Sequence, residues 1–326
     1  MEQSTKNVYL EQLPGYVFQG SEHQVYKLKK ALYGLKQAPR AWYIKLESHL
    51  AANEFMKYPH EHTLFMKTKE KGEILIVCVY VDDLIYNGND MPMFQEFKTM
   101  MMKEFAMTDL RKMRYFLGIE VLQGCNGIFV GKKKYIKNML NKFDMSNCNP
   151  VKSLIVPGSM LLKEDKGVKV DTTLFKQLVG GLMYLTATRP DIAYSVSLIS
   201  RFMEEPKKSH FLAAKRILRY LQGTQNLGIF YKVGGNEELI AYTDSDYAGD
   251  LDDRKSTSGY AFLLGGGVIS WVSKKQPVVS LSTTKEEFIA VALCACQCVW
   301  LRRILKHLSH CQEGATVVKP SFAWKK

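Results

Sequence analysis

The sequence predicts an α+β protein, and three stretches of the chain carry that prediction. Two apolar runs, residues 74–80 and 84–86, flank a tight turn, as in a β-hairpin. Residues 174–222 have helical spacing of their apolar positions almost throughout. Three strand-like runs between residues 239 and 272 then precede a long helical pattern that ends near His307.

The first helix of the chain is predicted just after residue 38. Pro39 suits the first turn of a helix, and Trp42, Leu46 and Leu50 then recur with the spacing of one apolar face. After the predicted hairpin, a Met- and Phe-rich stretch at 94–105 also has helical spacing. Such a stretch favours a core helix over a binding surface, because Met fills core gaps well.

The next elements are a strand at 115–121 and a helix that opens with the basic cluster Lys132–Lys137. An earlier basic cluster lies at Lys27–Lys30. Apolar spacing predicts three further helices, at 174–186, 190–203 and 209–222.

The last of these three helices has two distinct faces. Its apolar face carries Phe211, Ala214, Leu218 and Leu221, and its basic face carries Lys208, Lys215 and Arg219. The basic face is free to contact phosphates or simply to face solvent, and a solvated charged face is the commoner arrangement on amphipathic helices.

Changes in composition divide the chain into four predicted parts. Residues 148–172 are rich in Pro, Gly and charge, which indicates a boundary. We therefore expect a mixed part at 1–150, a helical part at 151–235, a strand-rich part with a long helix at 236–310, and a tail at 311–326.

The charge balance favours a polyanionic partner. The 326 residues include 45 Lys and Arg against 32 Asp and Glu, a formal net charge of +13. Nucleic acid is the first candidate for such a partner, although a protein that is merely basic has the same balance. The seven cysteines form no Cys-x-x-Cys pair, which argues against a zinc finger.

Cysteine usage and hydropathy indicate an intracellular protein, without choosing between cytoplasm and nucleus. An odd number of cysteines and a polar N-terminus without a secretory signal favour a reducing compartment. No apolar run approaches the about 20 residues of a membrane span, so we expect no membrane association. Cys294, Cys296 and Cys298 fall on a helical pattern and are expected to fill the core, the two-residue spacing turning them to different faces.

The turn of the predicted hairpin carries two adjacent carboxylates, Asp82 and Asp83. A hairpin would lift both out of a buried sheet, on the rigid support that phosphoryl transfer at Mg²⁺ needs. Asp is also a favoured turn residue, so the pair taken alone is better explained by turn chemistry than by a metal role.

A second acidic cluster ends the first of the three later strands. Asp244 and Asp246 lie there, and Glu287 lies near the start of the following helix. We expect that helix to bury a stripe of Phe288, Ala292, Ala295 and Val299. Glu287 lies beside this stripe, so a strand carboxylate and a helix carboxylate can converge on a metal.

Two alternatives exist for the acidic segment after Asp244. An EF-hand calcium loop is rejected, because Ala248 and Lys255 stand where oxygen ligands are required. A solvated acidic turn, continued by Asp250, Asp252 and Asp253, would explain Asp244 taken alone.

Seven motifs resemble the Pol polyproteins of copia-type LTR retrotransposons. They include the Tyr-Val-Asp-Asp of the hairpin and the segments 31–42, 116–120, 182–191, 243–260, 269–276 and 281–290. The resemblance covers about residues 8–313. It implies a reverse-transcriptase palm-like domain, a helical connection and an incomplete ribonuclease H-like β-β-β-α domain.

The resemblance also implies roles for individual residues. Metal-binding and catalytic roles fall on Asp82, Asp83, Asp244 and Glu287, nucleotide and template contacts on Lys36, Gln37, Pro39 and Arg40, and a primer grip on Phe116, Leu117 and Gly118. The implied cofactor is Mg²⁺. The implied partners are RNA, DNA, RNA–DNA hybrid and deoxynucleotides, contacted mainly through phosphates.

The chain departs from the family pattern at both ends. The family's earlier palm Asp motif would precede Val8, and the match stops near residue 313, before the later ribonuclease H carboxylates. We therefore expect a fragment that is inactive by itself, with a non-catalytic nucleic-acid-binding remnant or an inert pseudogene product as the alternative. We also expect an uncovered sheet edge, an unstable region 236–310 and a poorly ordered tail from residue 314, unless Ala315–Val318 pairs as a fourth strand.

Overall fold

The computed structural model describes residues 8–29, 32, 34–70, 72–156, 158, 161–163, 167–235 and 237–320. These residues form an α+β structure of seven α-helices and several mainly antiparallel sheets, as predicted. The chain divides into two compact units: residues 1–109 with His307–His310, and residues 110–306 with Cys311–Lys326. The four parts predicted from composition stay a prediction.

The first unit contains a two-stranded sheet and a four-stranded sheet. Its elements in chain order are β1 (Tyr9–Glu11), β2 (Val25–Lys27), α1 (Ala38–Ala52), β3 (Met56–Lys57), β4 (Leu64–Thr68), β5 (Ile74–Tyr80), β6 (Asp83–Gly88) and α2 (Met91–Glu104). β1 pairs with β2, and the larger sheet has the antiparallel order β3-β4-β5-β6. Neighbouring strands are consecutive in the chain, so short connections suffice.

The core of the first unit joins the larger sheet to α1 and α2. Leu46 and Leu50 are fully buried with Trp42 partly buried beside them, which confirms the predicted apolar face. The Met- and Phe-rich helix α2 is also a core helix, as predicted. Asp90 caps it by accepting a hydrogen bond from the Met93 amide at 2.9 Å.

The remaining elements belong mainly to the second unit. They are β7 (Tyr115–Phe116), β8 (Ile119–Gly124), β9 (Gly127–Gly131), α3 (Lys133–Lys142), α4 (Thr172–Leu185), α5 (Ala193–Ser200), α6 (Lys208–Gly223), β10 (Ile229–Lys232), β11 (Ile240–Ser245), β12 (Thr257–Leu264), β13 (Gly267–Lys275), α7 (Thr283–His307) and β14 (Val318–Pro320).

The first sheet of this unit has the antiparallel order β10-β9-β8-β7. The single strand predicted at 115–121 is wrong, because β7 and β8 form a hairpin there. Leu117 and Gly118 make its turn with φ angles of 49° and 72°. A two-residue hairpin turn favours positive φ at its central positions, and Gly118 adopts it without steric cost.

Helices α3 to α6 share one apolar core, to which α6 contributes Ala214, Leu218 and Leu221 as predicted. Its arginines have a role that the sequence did not indicate. Arg219 donates from Nε to the Asn149 carbonyl at 2.8 Å, and Arg216 bonds Ser153. Arg219 is half-buried and partly engaged within the protein, and the choice between solvent and phosphates for the basic face stays a prediction.

A buried arginine ties the end of α4 to the end of α6. Arg189 is 1% exposed and donates to both carboxylate oxygens of Asp191, at 2.9 and 2.7 Å. It also donates to the carbonyl and the hydroxyl of Thr224, each at 2.9 Å. Tyr220 donates to Asp191 at 2.9 Å. The network satisfies the guanidinium in the way a buried charge requires.

The last sheet has the order β13-β12-β11-β14, with α7 packed on it. The predicted buried stripe of α7 is wrong, since Phe288 is 70% exposed. The buried positions are Glu286, Ala290, Cys294, Cys298, Leu301 and Leu305. Both stripes have helical spacing, so periodicity by itself cannot choose between them. Cys294 and Cys298 fill the core as predicted, while Cys296 is exposed.

Among the described residues, α7 is one helix whose length and composition would allow it to cross a membrane. The expectation that no apolar stretch approaches that length is therefore wrong. This test is weak evidence for a membrane span, because core helices of globular proteins also pass it. Here α7 buries one face against the sheet.

We expected an uncovered edge at the last sheet, and this expectation is wrong. The alternative, a fourth strand formed by the tail, is observed, but the strand is Val318–Pro320 rather than Ala315–Val318. β14 pairs parallel to β11, with Val318 opposite Ala241 and Pro320 opposite Thr243. The Ala241 amide donates to the Val317 carbonyl at 3.1 Å. Pairing satisfies backbone groups that would otherwise be exposed at the edge. Residues 321–326 lie outside the described part of the chain.

Candidate functional site

The predicted hairpin forms, and its carboxylates lie at its tip. β5 and β6 pair antiparallel up to Tyr80 and Asp83, leaving Val81 and Asp82 as the two-residue turn. Leu75, Val77 and Val79 are buried on one face of β5, whereas both aspartates are exposed. The hairpin therefore places two adjacent carboxylates in solvent on a strand pair anchored in the core.

The hairpin turn is tied to the first helix. The Trp42 indole donates to the Val81 carbonyl at 2.6 Å, so the turn lies against the N-terminal half of α1. Pro39 and Arg40 are exposed in the first turn of that helix. Just before it, Lys36 is exposed and Gln37 is half-buried, while Ala31 and Tyr33 of the same motif lie outside the described residues. The predicted nucleotide contacts of these residues stay a prediction.

The described residues do not complete a metal site. Asp82 and Asp83 offer the oxygen ligands that Mg²⁺ prefers. Within the described ranges, however, no group of three or more His, Cys, Asp or Glu residues could hold a metal ion. The metal-binding roles of Asp82 and Asp83 therefore stay a prediction, and we derive no metal-dependent step from them.

The predicted primer-grip residues lie in the β7–β8 hairpin. Phe116 ends β7 and is half-buried, while Leu117 and Gly118 form the exposed turn. This turn belongs to the second unit and is held by contacts within that unit, described below.

The second predicted acidic site lies between β11 and α7. Thr243 and Ser245 are buried, whereas Asp244, between them on β11, is half-buried. Glu287 is exposed in the first turns of α7. The carboxylate that α7 buries is instead Glu286, which accepts a hydrogen bond from the Ser245 hydroxyl at 3.2 Å. Catalytic roles for Asp244 and Glu287 stay predictions.

Comparison with known proteins indicates the family of the chain. A family model described as reverse transcriptase (RNA-dependent DNA polymerase) matches residues 2–157. The retrovirus-related Pol polyprotein from transposon RE1 of Arabidopsis thaliana is 40% identical over 304 residues, 93% of this chain and 21% of the relative. The corresponding polyprotein from transposon TNT 1-94 of Nicotiana tabacum is 38% identical over 323 residues, 96% of this chain and 24% of the relative.

A shorter relative is matched almost end to end. The Ty5-1 transposon protein of Saccharomyces cerevisiae is 32% identical over 288 residues, 87% of this chain and 93% of the relative. The chain belongs to the copia-type Pol family of transposons. It spans about a fifth to a quarter of the length of the Pol polyproteins from RE1 and TNT 1-94. No solved structure matches it.

The structure of this Pol chain gives Glu120 a role that the motif did not reveal. Its Oε1 accepts a hydrogen bond from the Lys134 amide at 2.6 Å, at the N-terminus of α3. A carboxylate there satisfies a free amide and interacts favourably with the helix dipole. Glu120 thereby anchors β8, and with it the β7–β8 hairpin, to α3.

The basic cluster at the start of α3 is only partly available to phosphates. Lys133, Lys134 and Lys137 are exposed. Lys132 is 1% exposed, and its ammonium donates to the Tyr184 carbonyl at 2.6 Å. Burial lowers the pKa of the Lys132 ammonium to about 8. The sequence around Lys132 does not distinguish this lysine from Lys133 and Lys134, because the side chain of Lys132 is buried against Tyr184, a residue distant in the chain.

In the acidic segment after Asp244, Asp252 and Asp253 are exposed, as a solvated turn requires, but Asp250 is buried. Asp250 is 6% exposed and pairs with Lys275 at 2.6 Å and Arg201 at 2.8 Å. Burial by itself would raise the pKa of the Asp250 carboxyl. Hydrogen bonds from Lys275 and Arg201 outweigh it and hold that pKa well below its usual range. Asp250 thus stabilises the loop, and no metal ion is needed to explain it.

Proposed function

We propose that this Pol chain supplies the carboxylate hairpin of an RNA-directed DNA polymerase. Asp82 and Asp83 would be metal ligands in the complete enzyme. Residues 36–40 would contact the nucleotide and template, and residues 116–118 the primer. The observation that carries the proposal is the pair of exposed carboxylates on the tip of β5–β6, a strand pair whose other face is in the core.

The physical support is the rigidity and exposure of the pair. Carboxylates on adjacent residues of a core-anchored hairpin keep their positions without a separate ordering cost. Mg²⁺ takes oxygen ligands and usually keeps several waters, so two carboxylates are a sensible protein contribution. The nucleic-acid partners implied by the family suit the net charge of +13.

A polypeptide of these 326 residues, tested alone, should bind a primer–template and fail to extend it. Within the described residues no third carboxylate joins Asp82 and Asp83. Losing comparable electrostatic stabilisation typically costs about a hundredfold or more in rate. The competing function is a non-catalytic nucleic-acid-binding role, in which Asp82 and Asp83 have no metal to hold.

A ribonuclease H-like origin is proposed for the C-terminal sheet. Three antiparallel strands, β11 to β13, precede one long helix packed on them. Asp244 and Glu287 would belong to that ancestral site, and we expect no cleavage of RNA–DNA hybrid by this polypeptide.

Magnesium-dependent binding tests the hairpin proposal. The affinity for a labelled RNA–DNA primer–template would be measured by fluorescence anisotropy, with and without Mg²⁺, for the wild-type chain and for Asp82→Asn with Asp83→Asn. The matched control is Glu70→Gln with Glu73→Gln. This pair makes the same charge change at the β4–β5 connection, the opposite end of β5 from Val81.

Mg²⁺ should strengthen binding by the wild type and the control, and the hairpin variant should lose that response. An equal magnesium response in all three proteins would remove the metal role and leave the non-catalytic alternative. Primer extension by the wild type that Asp82→Asn abolishes would contradict the expected inactivity while supporting the role of the hairpin.

A further inference from the structure

The primer-grip-like turn has little support within its own hairpin. β7 contributes two residues, and Leu117 is 41% exposed. Such a short strand at a sheet edge forms few ladder hydrogen bonds, and segments of this kind open most readily. Whatever fixes the turn must therefore come from outside the hairpin.

That support is Tyr184, from the C-terminal turn of α4. Its hydroxyl donates a hydrogen bond to the Leu117 carbonyl, at the centre of the turn. The fit is close, because a Cβ atom at Gly118 would collide with the Tyr184 hydroxyl oxygen. Position 118 thus requires glycine both for its φ of 72° and for the approach of Tyr184.

Tyr184 is itself held from two sides. The Lys132 ammonium lies 3.2 Å from the centroid of its ring and donates to its carbonyl. The Tyr135 ring packs edge-on, with centroids 4.7 Å apart. A cation on an aromatic face and an edge-to-face ring pair are both favourable contacts, and together they restrict the ring.

The Lys132 contact also satisfies a backbone carbonyl at the C-terminal end of α4. The last carbonyls of a helix have no partner within the helix, and Lys132 satisfies that of Tyr184. The Trp271 indole does the same for Thr186, donating to its carbonyl at 2.9 Å. The turn of α4 that carries Tyr184 is therefore fixed by side chains from α3's N-terminus and β13.

We propose that Tyr184 is a positioning residue for the nucleic-acid contact of the Leu117–Gly118 turn, and that Lys132 holds Tyr184 in place for it. This inference rests on the primer role proposed for residues 116–118. Tyr184 need not touch the primer. Its hydroxyl sets the position of a turn that would otherwise sample many positions.

The test uses Tyr184→Phe, which removes only the hydroxyl. The matched control is Tyr231→Phe, because the Tyr231 hydroxyl also donates to a backbone carbonyl of this unit, that of Val268 at 2.9 Å. Hydrogen exchange of residues 115–120 would be followed with and without a bound RNA–DNA primer–template, together with the dissociation constant and the melting temperature.

We expect Tyr184→Phe to speed exchange at residues 115–120 about fivefold, the effect of one lost hydrogen bond. It should also weaken primer–template binding several-fold, and Tyr231→Phe should do neither. Gly118→Ala, which displaces Tyr184, should act in the same direction as Tyr184→Phe.

The outcomes separate the two proposals. If the bound hybrid does not protect residues 115–120 in the wild type, the primer role fails, and the positioning role with it. If the hybrid protects them and Tyr184→Phe changes neither exchange nor affinity, only the positioning role is overturned. Equal effects of Tyr184→Phe and Tyr231→Phe would also overturn the positioning role, because both effects would then reflect a general loss of stability.

Discussion

Val81 has a positive φ angle, which the hairpin turn requires but which a β-branched side chain disfavours. It has a φ of 54° in the turn that carries Asp82. A β-branched residue at positive φ is a genuine outlier, and such strain typically costs about 1–3 kcal/mol. The Trp42 hydrogen bond to its carbonyl is one contact that holds it there.

Replacing Val81 by Asn should therefore stabilise the hairpin, because Asn tolerates this conformation and Val81 is already half exposed. We expect exchange of the β5 and β6 amides to slow by roughly fivefold, which corresponds to about 1 kcal/mol. Val17→Asn, at another exposed valine without a positive φ, is the control. Unchanged or faster exchange in Val81→Asn would mean that the turn is not strained.

Arg189 shows the opposite case, a charged side chain whose surroundings satisfy it fully. Replacing it by Met would leave the Asp191 carboxylate without its bidentate partner. Removing one member of a buried pair typically costs about 3–5 kcal/mol, and we expect the lower end because Asp191 remains 29% exposed.

The measurement is hydrogen exchange of α4 to α6 in Arg189→Met, converted to opening free energies. Arg303→Met, at an exposed arginine of α7, should change stability by no more than about 0.5 kcal/mol. A loss below about 1 kcal/mol for Arg189→Met would show that the network of Arg189 contributes little to stability.

At the scale of elements, the ends of strands and helices decide the arrangement of the candidate sites. Glu120 joins β8 to α3, Tyr184 joins α4 to the β7–β8 turn, and β14 covers the edge of β11. None of these contacts lies within one element. The local pattern predicted the elements, and the contacts between them determine which residues are exposed.

Truncation after Gly314 should expose the edge of β11, because it removes β14 and the Val317 carbonyl that accepts from Ala241. We expect faster hydrogen exchange at residues 241–243 and a greater tendency to aggregate. Truncation after Pro320 keeps β14 and is the control. Equal exchange at 241–243 in both truncated proteins would mean that β14 does not protect this edge.

At the scale of the whole molecule, charge is the property that the proposed partners depend on. The net charge is +13, and not every lysine is free to bind phosphate, since Lys57 pairs with Glu47 and Lys67 pairs with Glu54. Exposed lysines such as Lys133 can contribute to phosphate binding, while the buried Lys132 cannot.

Affinity for RNA–DNA hybrid should fall steeply with salt, because phosphate contacts release condensed counterions. With about four such contacts, raising salt from about 50 to about 200 mM should weaken binding roughly a hundredfold. Lys133→Gln with Lys137→Gln should reduce the salt slope by about 2, whereas Lys57→Gln with Lys67→Gln should leave it nearly unchanged. Binding that does not depend on salt would exclude the phosphate-driven mode.

Much of this Pol chain could be predicted from its sequence. The correct predictions include the β5–β6 hairpin, the core helices α1 and α2, the order of three strands followed by a long helix, and the family. These features depend on turn residues, periodicity and motifs within short windows. The physical determinants of a tight turn or an amphipathic helix are carried by neighbouring residues.

Other features were decided only by tertiary structure. Four of these features involve residues far apart in the chain. They are the choice of the α7 stripe that faces the sheet, the burial of Lys132, the pairing of β9 with β10, and the pairing of β14 with the edge of β11. α7 has two stripes of helical spacing, and a lysine in a basic run resembles its neighbours. Burial and strand pairing depend on the free energy of contacts between distant segments, so a short window of sequence does not determine them.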